Sequence, residues 1–330
     1  MSVIARSAAR VAAIEYRIEC VAGISSHDMT FAVVLASRTA IWACADRQIT
    51  DLRGPKYSSK SGVKITCIET KDGVALLAYA GIGRVRDMQV SQWAYRTLRG
   101  VNLPLEGSLE HVSAAAQRRL APLVLRMRTG HFFIAAAIRY RKHYIYAIDL
   151  LNQPPKIIRH ETRTRNEVRI GVAESGAPYA LRHEQSRMKG IARLIKQHER
   201  GVVSAELVAS QLASLNEAIN ERAKSNGDNS VSPESIVIYR HPRSKKSGGR
   251  QWCFDLAGKP YNDPDALVPT GVSGFPLSEL ADGIMGEMLK RMRATPADAT
   301  PEQRLAAMPN DETMRALVAR IPDKPDEQFR

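Results

Sequence analysis

Apolar and polar residues alternate along this chain with two different periods, and the switches between them divide it into elements. Phe31 to Leu35 and Ala40 to Ala45 are two apolar, β-prone runs joined by a polar turn at Ala36-Ser-Arg-Thr39, which predicts a β-hairpin. Asp51 to Gly62 is polar and turn-rich. Lys64 to Ile68 and Val74 to Ala80 then read as two strands around a turn at Lys71-Asp-Gly73. The period lengthens over Arg84 to Leu98 and Leu109 to Met127, where apolar residues recur at helical spacing, and returns to strand-like runs at His131 to Arg139, His143 to Leu150, Pro155 to His160 and Glu167 to Val172. Ser175 to Gln197 and Ser204 to Lys224 read as a second helix pair, and Ser235 to Arg240 as a closing strand.

Helices that arrive in pairs between groups of strands argue against alternating βαβ units. They predict an α+β protein in which two packed sheets are covered by helix pairs, a four-layer αββα sandwich over residues 30–241. Beyond it, His241 to Gly249 is a polar linker, Gln251 to Asp255 an added strand, and Leu277 to Met292 an amphipathic helix whose apolar face (Leu277, Leu280, Ile284, Met288, Met292) is assigned to core packing, with partner binding as the alternative. Pro296 to Arg330 reads as a weakly packed, partly helical tail, so that residues 242–330 form a linker and C-terminal extension.

Composition changes this picture little. The chain has 330 residues, 44% hydrophobic and 25% charged, enough for a sizeable core. No apolar run approaches the ~18 residues of a membrane span. The first 28 residues carry arginines among alanines and valines, but Glu15 and Glu19 interrupt them, which argues against a secretory signal. Cys20, Cys44, Cys67 and Cys253 are scattered without a metal-binding spacing, as isolated reduced thiols of a cytoplasmic protein would be. The net charge of +14 points to a solvated basic surface or to acidic protein partners; with 6% aromatics and no recognition motif, nucleic acid is disfavoured.

The chemistry lies at the ends of the first hairpin. Folding it returns Thr30, at the start of the first strand, to the neighbourhood of Asp46, at the end of the second. If the chain began at Thr30, a free α-amine would join the hydroxyl there, and amine plus hydroxyl is a known nucleophilic pair. Taken singly, Thr30 is an ordinary strand residue, Asp46 a turn residue, Lys64 a surface lysine and Ser175 a helix cap.

Asp46-Arg-Gln-Ile-Thr50, Lys64 at a strand start, Ala78-Tyr-Ala-Gly81 at a strand end and Glu174-Ser-Gly-Ala-Pro-Tyr-Ala180, in this order, resemble the proteasome-type N-terminal-nucleophile peptidases, most closely the bacterial HslV subunit. The resemblance covers Met29 to about Arg240 and implies a threonine peptidase subunit. It places Thr30 as nucleophile with its α-amine as base, Lys64 holding that amine neutral, Asp46 orienting Lys64, the Gly81 N–H facing the oxyanion and Ser175 helping to move protons. It also implies a ring homo-oligomer, a polypeptide substrate and an AAA+ ATPase partner, and calls for no metal or organic cofactor.

The chain departs from the family at three places. Asp28-Met29 precedes Thr30, Lys64 lies two residues farther from Asp46, and the Asp-x-x-Ser element near the last strand reads Asn229-Ser-Val-Ser232, with Asp228 one residue out of place. Residues 1–29 are accordingly a propeptide or a mis-assigned start: translation from Met29 with methionine removal would expose Thr30, whereas translation from Met1 requires cleavage at Met29-Thr30. Two other readings stand beside the peptidase. One is a proteasome-like scaffold without activity; the other is an N-terminal-nucleophile amidase acting on a small amide.

Overall fold

Neither face of the first hairpin reaches solvent, and that fact organises the molecule. The structure, a computed structural model, describes residues 18–23, 30–49, 62–85, 88–127, 131–140, 142–150, 156–161, 167–175, 183–241, 251–254, 260–261, 268–296, 298–306 and 308–321. Chain order runs β1 (Ile18–Gly23), β2 (Thr30–Ala36), β3 (Ile41–Asp46), β4 (Ile65–Thr70), β5 (Gly73–Ala80), β6 (Arg84–Val85), β7 (Met88–Gln89), α1 (Val90–Thr97), α2 (Leu105–Arg119), α3 (Ala121–Met127), β8 (Phe132–Arg139), β9 (Lys142–Asp149), β10 (Lys156–Glu161) and β11 (Arg169–Ser175). It continues with α4 (Gln185–Glu199), α5 (Ala205–Ser225), β12 (Ser235–Arg240), β13 (Gln251–Phe254), β14 (Pro260–Tyr261), β15 (Thr270–Val272), β16 (Phe275–Pro276), α6 (Leu277–Ala294), α7 (Pro301–Ala306) and α8 (Asp311–Ala319).

The result is a mixed α+β molecule with two seven-stranded sheets, in the orders β1-β11-β2-β3-β12-β13-β14 and β10-β9-β8-β5-β4-β15-β16. Strand alternation sorts each side chain to one face or the other. In β2, Phe31, Val33 and Leu35 join Met188, Ile191 and Ile195 of α4 and Val208, Leu212 and Ile219 of α5 in one core. Ala32, Val34 and Ala36 turn the other way and meet Ile65, Leu76, Ala78 and Ile134 of the second sheet. Leu77, Tyr79 and Phe133, from the second sheet's other face, pack with Trp93, Leu109 and Val112 of α1 and α2. Because both faces of these strands are covered, their sequences read as nearly unbroken apolar runs. Eight alanines lie among the buried side chains where the sheets face each other. At Gly171 of β11 there is room for no side chain, since a Cβ would lie 2.5 Å from Ile134 Cδ1 and 2.9 Å from Ile145 Cγ2.

Several expected boundaries shift. The helix expected from Arg84 begins at Val90, after a short antiparallel pairing of β6 with β7. The helix expected over Leu109 to Met127 is two helices, parted at Leu120, where Pro122 follows and cannot donate a backbone N–H. Ser175 is the last residue of strand β11, the start expected for the next helix at 176–182 lies outside the described residues, and α4 covers Gln185–Glu199. Ser204 caps α5 as expected, accepting from the Leu207 N–H at 3.2 Å.

The segments on either side of residues 30–241 supply sheet edges. β1 pairs in parallel with β11. β13 pairs with β12, and β15 runs parallel to β4. The core-packing role expected for Leu277 to Met292 is not what the structure has. No residue of α6 is buried, and Leu277, Met285, Leu289 and Met292 are exposed. No helix among the described residues is long and apolar enough to cross a membrane.

One buried residue gives the fold a pH limit. His131 is fully buried, stacks on Tyr79 with ring centroids 5.6 Å apart and meets Phe133 edge-on at 4.9 Å; neither ring nitrogen has a hydrogen-bond partner among the described residues. Burial pushes its pKa down from 6.5 to about 3. The unfolded chain therefore binds a proton that the folded chain refuses between those values, and stability falls as pH drops from 6.5 toward 3. His131→Phe is expected to flatten this part of the stability–pH curve. Urea midpoints measured at pH 7, 5 and 4 check it, and an unchanged slope would remove His131 as the cause.

Candidate active site

The strand ends decide which polar groups meet. β2 begins at Thr30, β3 ends at Asp46, β11 ends at Ser175 and β12 begins at Ser235, all at one end of the first sheet. The register pairs Ser175 with Thr30 and Ser235 with Asp46, while Ala32 opposite Ala45 sets Thr30 one step beyond Phe31 and Asp46. In the second sheet, Lys64 just precedes β4 and Gly81 just follows β5, again at a shared end, with the Tyr79 N–H donating to the Lys64 carbonyl at 3.2 Å.

Asp46 and Lys64 join these two ends. Both are buried, and Lys64 Nζ donates to Asp46 Oδ1 and Oδ2 at 2.9 and 2.8 Å. The carboxylate also accepts the Phe31 N–H at 3.0 Å, the Gln48 N–H at 2.8 Å and, at longer range, the Ser232 N–H at 3.4 Å. Bare burial of either charge would cost several kcal/mol, and these contacts offset it. Burial pushes the Lys64 pKa below the usual lysine range, with Asp46 acting in the opposite direction.

Thr30 itself is 5% exposed, so the first residue of β2 lies in the wall of the fold and not on its rim. Gly81 has φ +115, a conformation open to glycine and strained for other residues. A backbone N–H there can be turned in a direction that a residue with a Cβ would not hold. Of the expected site residues, Asp46 and Lys64 are in direct contact, Phe31 ties the residue after Thr30 to Asp46, and Ser175 is Thr30's cross-strand neighbour. Gly81 sits at the same end of the second sheet as Lys64.

The sequence gives no sign of the residues that hold Lys64 in place. The Val63 N–H donates to Gln89 Oε1 at 2.8 Å, and Ser91 Oγ donates to the Val63 carbonyl at 2.5 Å, so the hairpin of β6 and β7 and the start of α1 fix the approach to Lys64. Asp228, out of place for the family element, accepts the Ser230 N–H at 2.9 Å, while Ser232 contributes its own N–H to Asp46. Cys44 and Cys67 are not suited as alternative nucleophiles: both are buried, and burial pushes the Cys44 thiol up to about 12.

No protein-family model matches the chain, and no curated protein sequence does. Solved structures do. Anbu (ancestral beta-subunit) from Yersinia bercovieri matches with 12% identity and a TM-score of 0.43, covering 82% of this chain and 100% of that one. An Anbu mutant from Hyphomicrobium sp. strain MC1 matches at 10% identity and TM-score 0.45, covering 82% and 99%, and the helical assembly of the Anbu complex from Pseudomonas aeruginosa at 12% and 0.44, covering 82% and 100%. The closest likeness expected from the motifs was HslV. These structures are Anbu proteins, a distinct family, and the HslV assignment is corrected accordingly. Motifs of four to seven residues carried it, and such short runs do not separate one family from its neighbours.

The buried pair makes a stability prediction. Lys64→Met leaves Asp46 charged and unpaired, and is expected to cost about 3–5 kcal/mol, as is Asp46→Asn, which strands Lys64. The double change Asp46→Asn/Lys64→Met should recover a large part of that loss. Urea unfolding of the four proteins checks the coupling, and strictly additive losses would contradict it.

Proposed function

We propose that the chain is a threonine-nucleophile amide hydrolase of the proteasome-like class, built as a four-layer αββα sandwich over residues 30–241, with residues 242–330 as an extension that closes sheet edges. The observation that supports this most is the chain of contacts from Thr30's neighbour to a buried charge pair: the Phe31 N–H on Asp46, and Asp46 on Lys64. It holds the start of β2 in fixed relation to a lysine whose pKa burial lowers.

In this reading the bond before Thr30 is broken in the mature protein. The Thr30 hydroxyl attacks the substrate carbonyl and its proton passes to the α-amine, whose unperturbed pKa of about 7.7–8.0 suits it to act as a base near neutrality. Lys64 disfavours a second positive charge and keeps the amine neutral. Asp46 fixes Lys64, the Gly81 N–H takes the developing oxyanion, and Ser175 relays protons beside the amine. The amine product leaves with the proton, and water hydrolyses the Thr30 ester to restore the site. The substrate is a polypeptide, and assembly with further copies of the chain, with an ATPase or acidic protein as partner, would restrict access to it.

The course of the chain suits a leader that is removed. β1 ends at Gly23 opposite Ser175, and Ser175 is opposite Thr30, so Gly23 and Thr30 flank one strand at the same sheet end, about 10 Å apart. Intact mass and N-terminal sequencing of the native protein are expected to show a chain starting at Thr30. A threonine-directed epoxyketone or β-lactone should add to that chain, and Thr30→Ala should abolish the adduct and lower amide hydrolysis on the order of 10³-fold or more. A native chain that retains residues 1–29 and takes up no adduct would leave an inactive scaffold. Hydrolysis of a small amide by a monomer or dimer would instead indicate the amidase.

A further inference from the structure

At the other end of the first hairpin, two histidine rings face each other in a way that their hydrogen bonds do not complete. His198 lies in the last turn of α4, and His241 follows the end of β12. His198 Nδ1 is 2.9 Å from the Val203 carbonyl oxygen, and His241 Nδ1 is 3.0 Å from the Thr39 carbonyl oxygen. A carbonyl only accepts, so each Nδ1 must be the nitrogen that carries hydrogen. In the neutral rings both Nε2 atoms are then bare lone pairs, and they point at each other across 3.4 Å. Two lone pairs at that distance repel unless a cation lies between them.

The geometry suits a metal. Zinc binds imidazole nitrogen at about 2.0–2.1 Å, and two such bonds at a tetrahedral angle put the nitrogens about 3.3–3.4 Å apart. Ligating histidines characteristically donate their second ring N–H to a backbone carbonyl, which fixes tautomer and ring plane, and both rings here do so. Aromatic neighbours also restrain them: Trp42 meets His198 edge-on at 5.7 Å and His241 at 6.3 Å, and Tyr239 meets His241 at 5.2 Å, nearly perpendicular. Both histidines are half-buried, so a cation can enter and keep water in its remaining positions. The adjacent Glu199 carboxylate accepts the Arg38 N–H on Oε1 at 2.7 Å. No group of three or more potential ligands occurs among the described residues.

We propose that His198 and His241 form a two-histidine site for a zinc-type transition-metal dication, with water completing the coordination. Imidazole donors without carboxylate or thiolate favour zinc, nickel or copper over magnesium or calcium. The site is independent of the reading of Thr30, lying at the turn end of the β2–β3 hairpin, roughly 15–20 Å of strand away from Asp46. A bound cation would cross-link the end of α4 to the end of β12, next to the hairpin turn at Thr39.

Zinc per chain, measured by equilibrium dialysis of the full-length protein against Zn(II) with elemental analysis, tests this. One zinc per chain is expected, with a rise in unfolding temperature on zinc addition. His198→Gln and His241→Gln should each weaken binding at least tenfold and remove the rise, while His183→Gln, at an exposed position, leaves both unchanged. Failure of the unmodified protein to bind zinc would overturn the site and leave a proton shared between the rings. Undiminished affinity and stoichiometry in both variants would overturn it as well, by placing the zinc elsewhere.

Discussion

The molecule turns on a carboxylate and an ammonium, both removed from water, that connect one sheet to the other. Asp46 ends a strand of one sheet and Lys64 just precedes a strand of the other, and their contact is a polar link at one end of a largely apolar interface. Ion pairs of this kind give little net stability relative to a well-packed apolar replacement, since desolvation consumes most of the attraction. What the pair does give is position. Two oxygens that serve Lys64, Phe31, Gln48 and Ser232 leave Asp46 a narrow range of placements, and through the Phe31 N–H they fix the path of the chain immediately after Thr30.

The apolar packing around the pair explains why such precision is available. Alanines are frequent where the sheets face each other, with Ala32, Ala36, Ala43, Ala45, Ala78, Ala80, Ala136 and Ala173 in the shared core beside larger residues such as Ile65, Ile134 and Phe132. Small side chains let the sheets approach and leave few rotamers to rearrange, so displacements at the strand ends are not readily absorbed. Trp42, Trp93, Phe31 and Phe133, by contrast, face the helices, where a curved helix surface accommodates larger side chains.

Much of this was legible in the chain, and the exceptions share a cause. The runs at 31–35, 40–45 and 74–80 announced strands through β-branched and apolar residues, and Ser204 announced a helix start through its capping hydroxyl. What escaped was decided by partners distant in sequence. Ile18 to Gly23 is a strand because β11 offers it an edge, and Arg84 and Val85 pair with Gln89 and Met88 where Gln89 and Ser91 bond to Val63. Ser175 looked like a helix start beside Gly176 and Pro178, but its backbone continues the pairing of Val172 and Ala173 with β2. The candidate site divides the same way: the order of Thr30, Asp46, Lys64, Gly81 and Ser175 could be read from the chain, whereas the burial of Lys64 and its support from β6, β7 and α1 could not.

The parallel pairing of β1 with β11 carries a consequence for the surface of the protein. While residues 18–23 stay in place, the backbone of β11 is hydrogen-bonded on both sides, by β1 and by β2. Release of everything before Thr30 would turn β11 into an edge strand with a row of unanswered N–H and C=O groups. Loss of these residues would thus leave an adhesive border beside Thr30, a place for another strand to join.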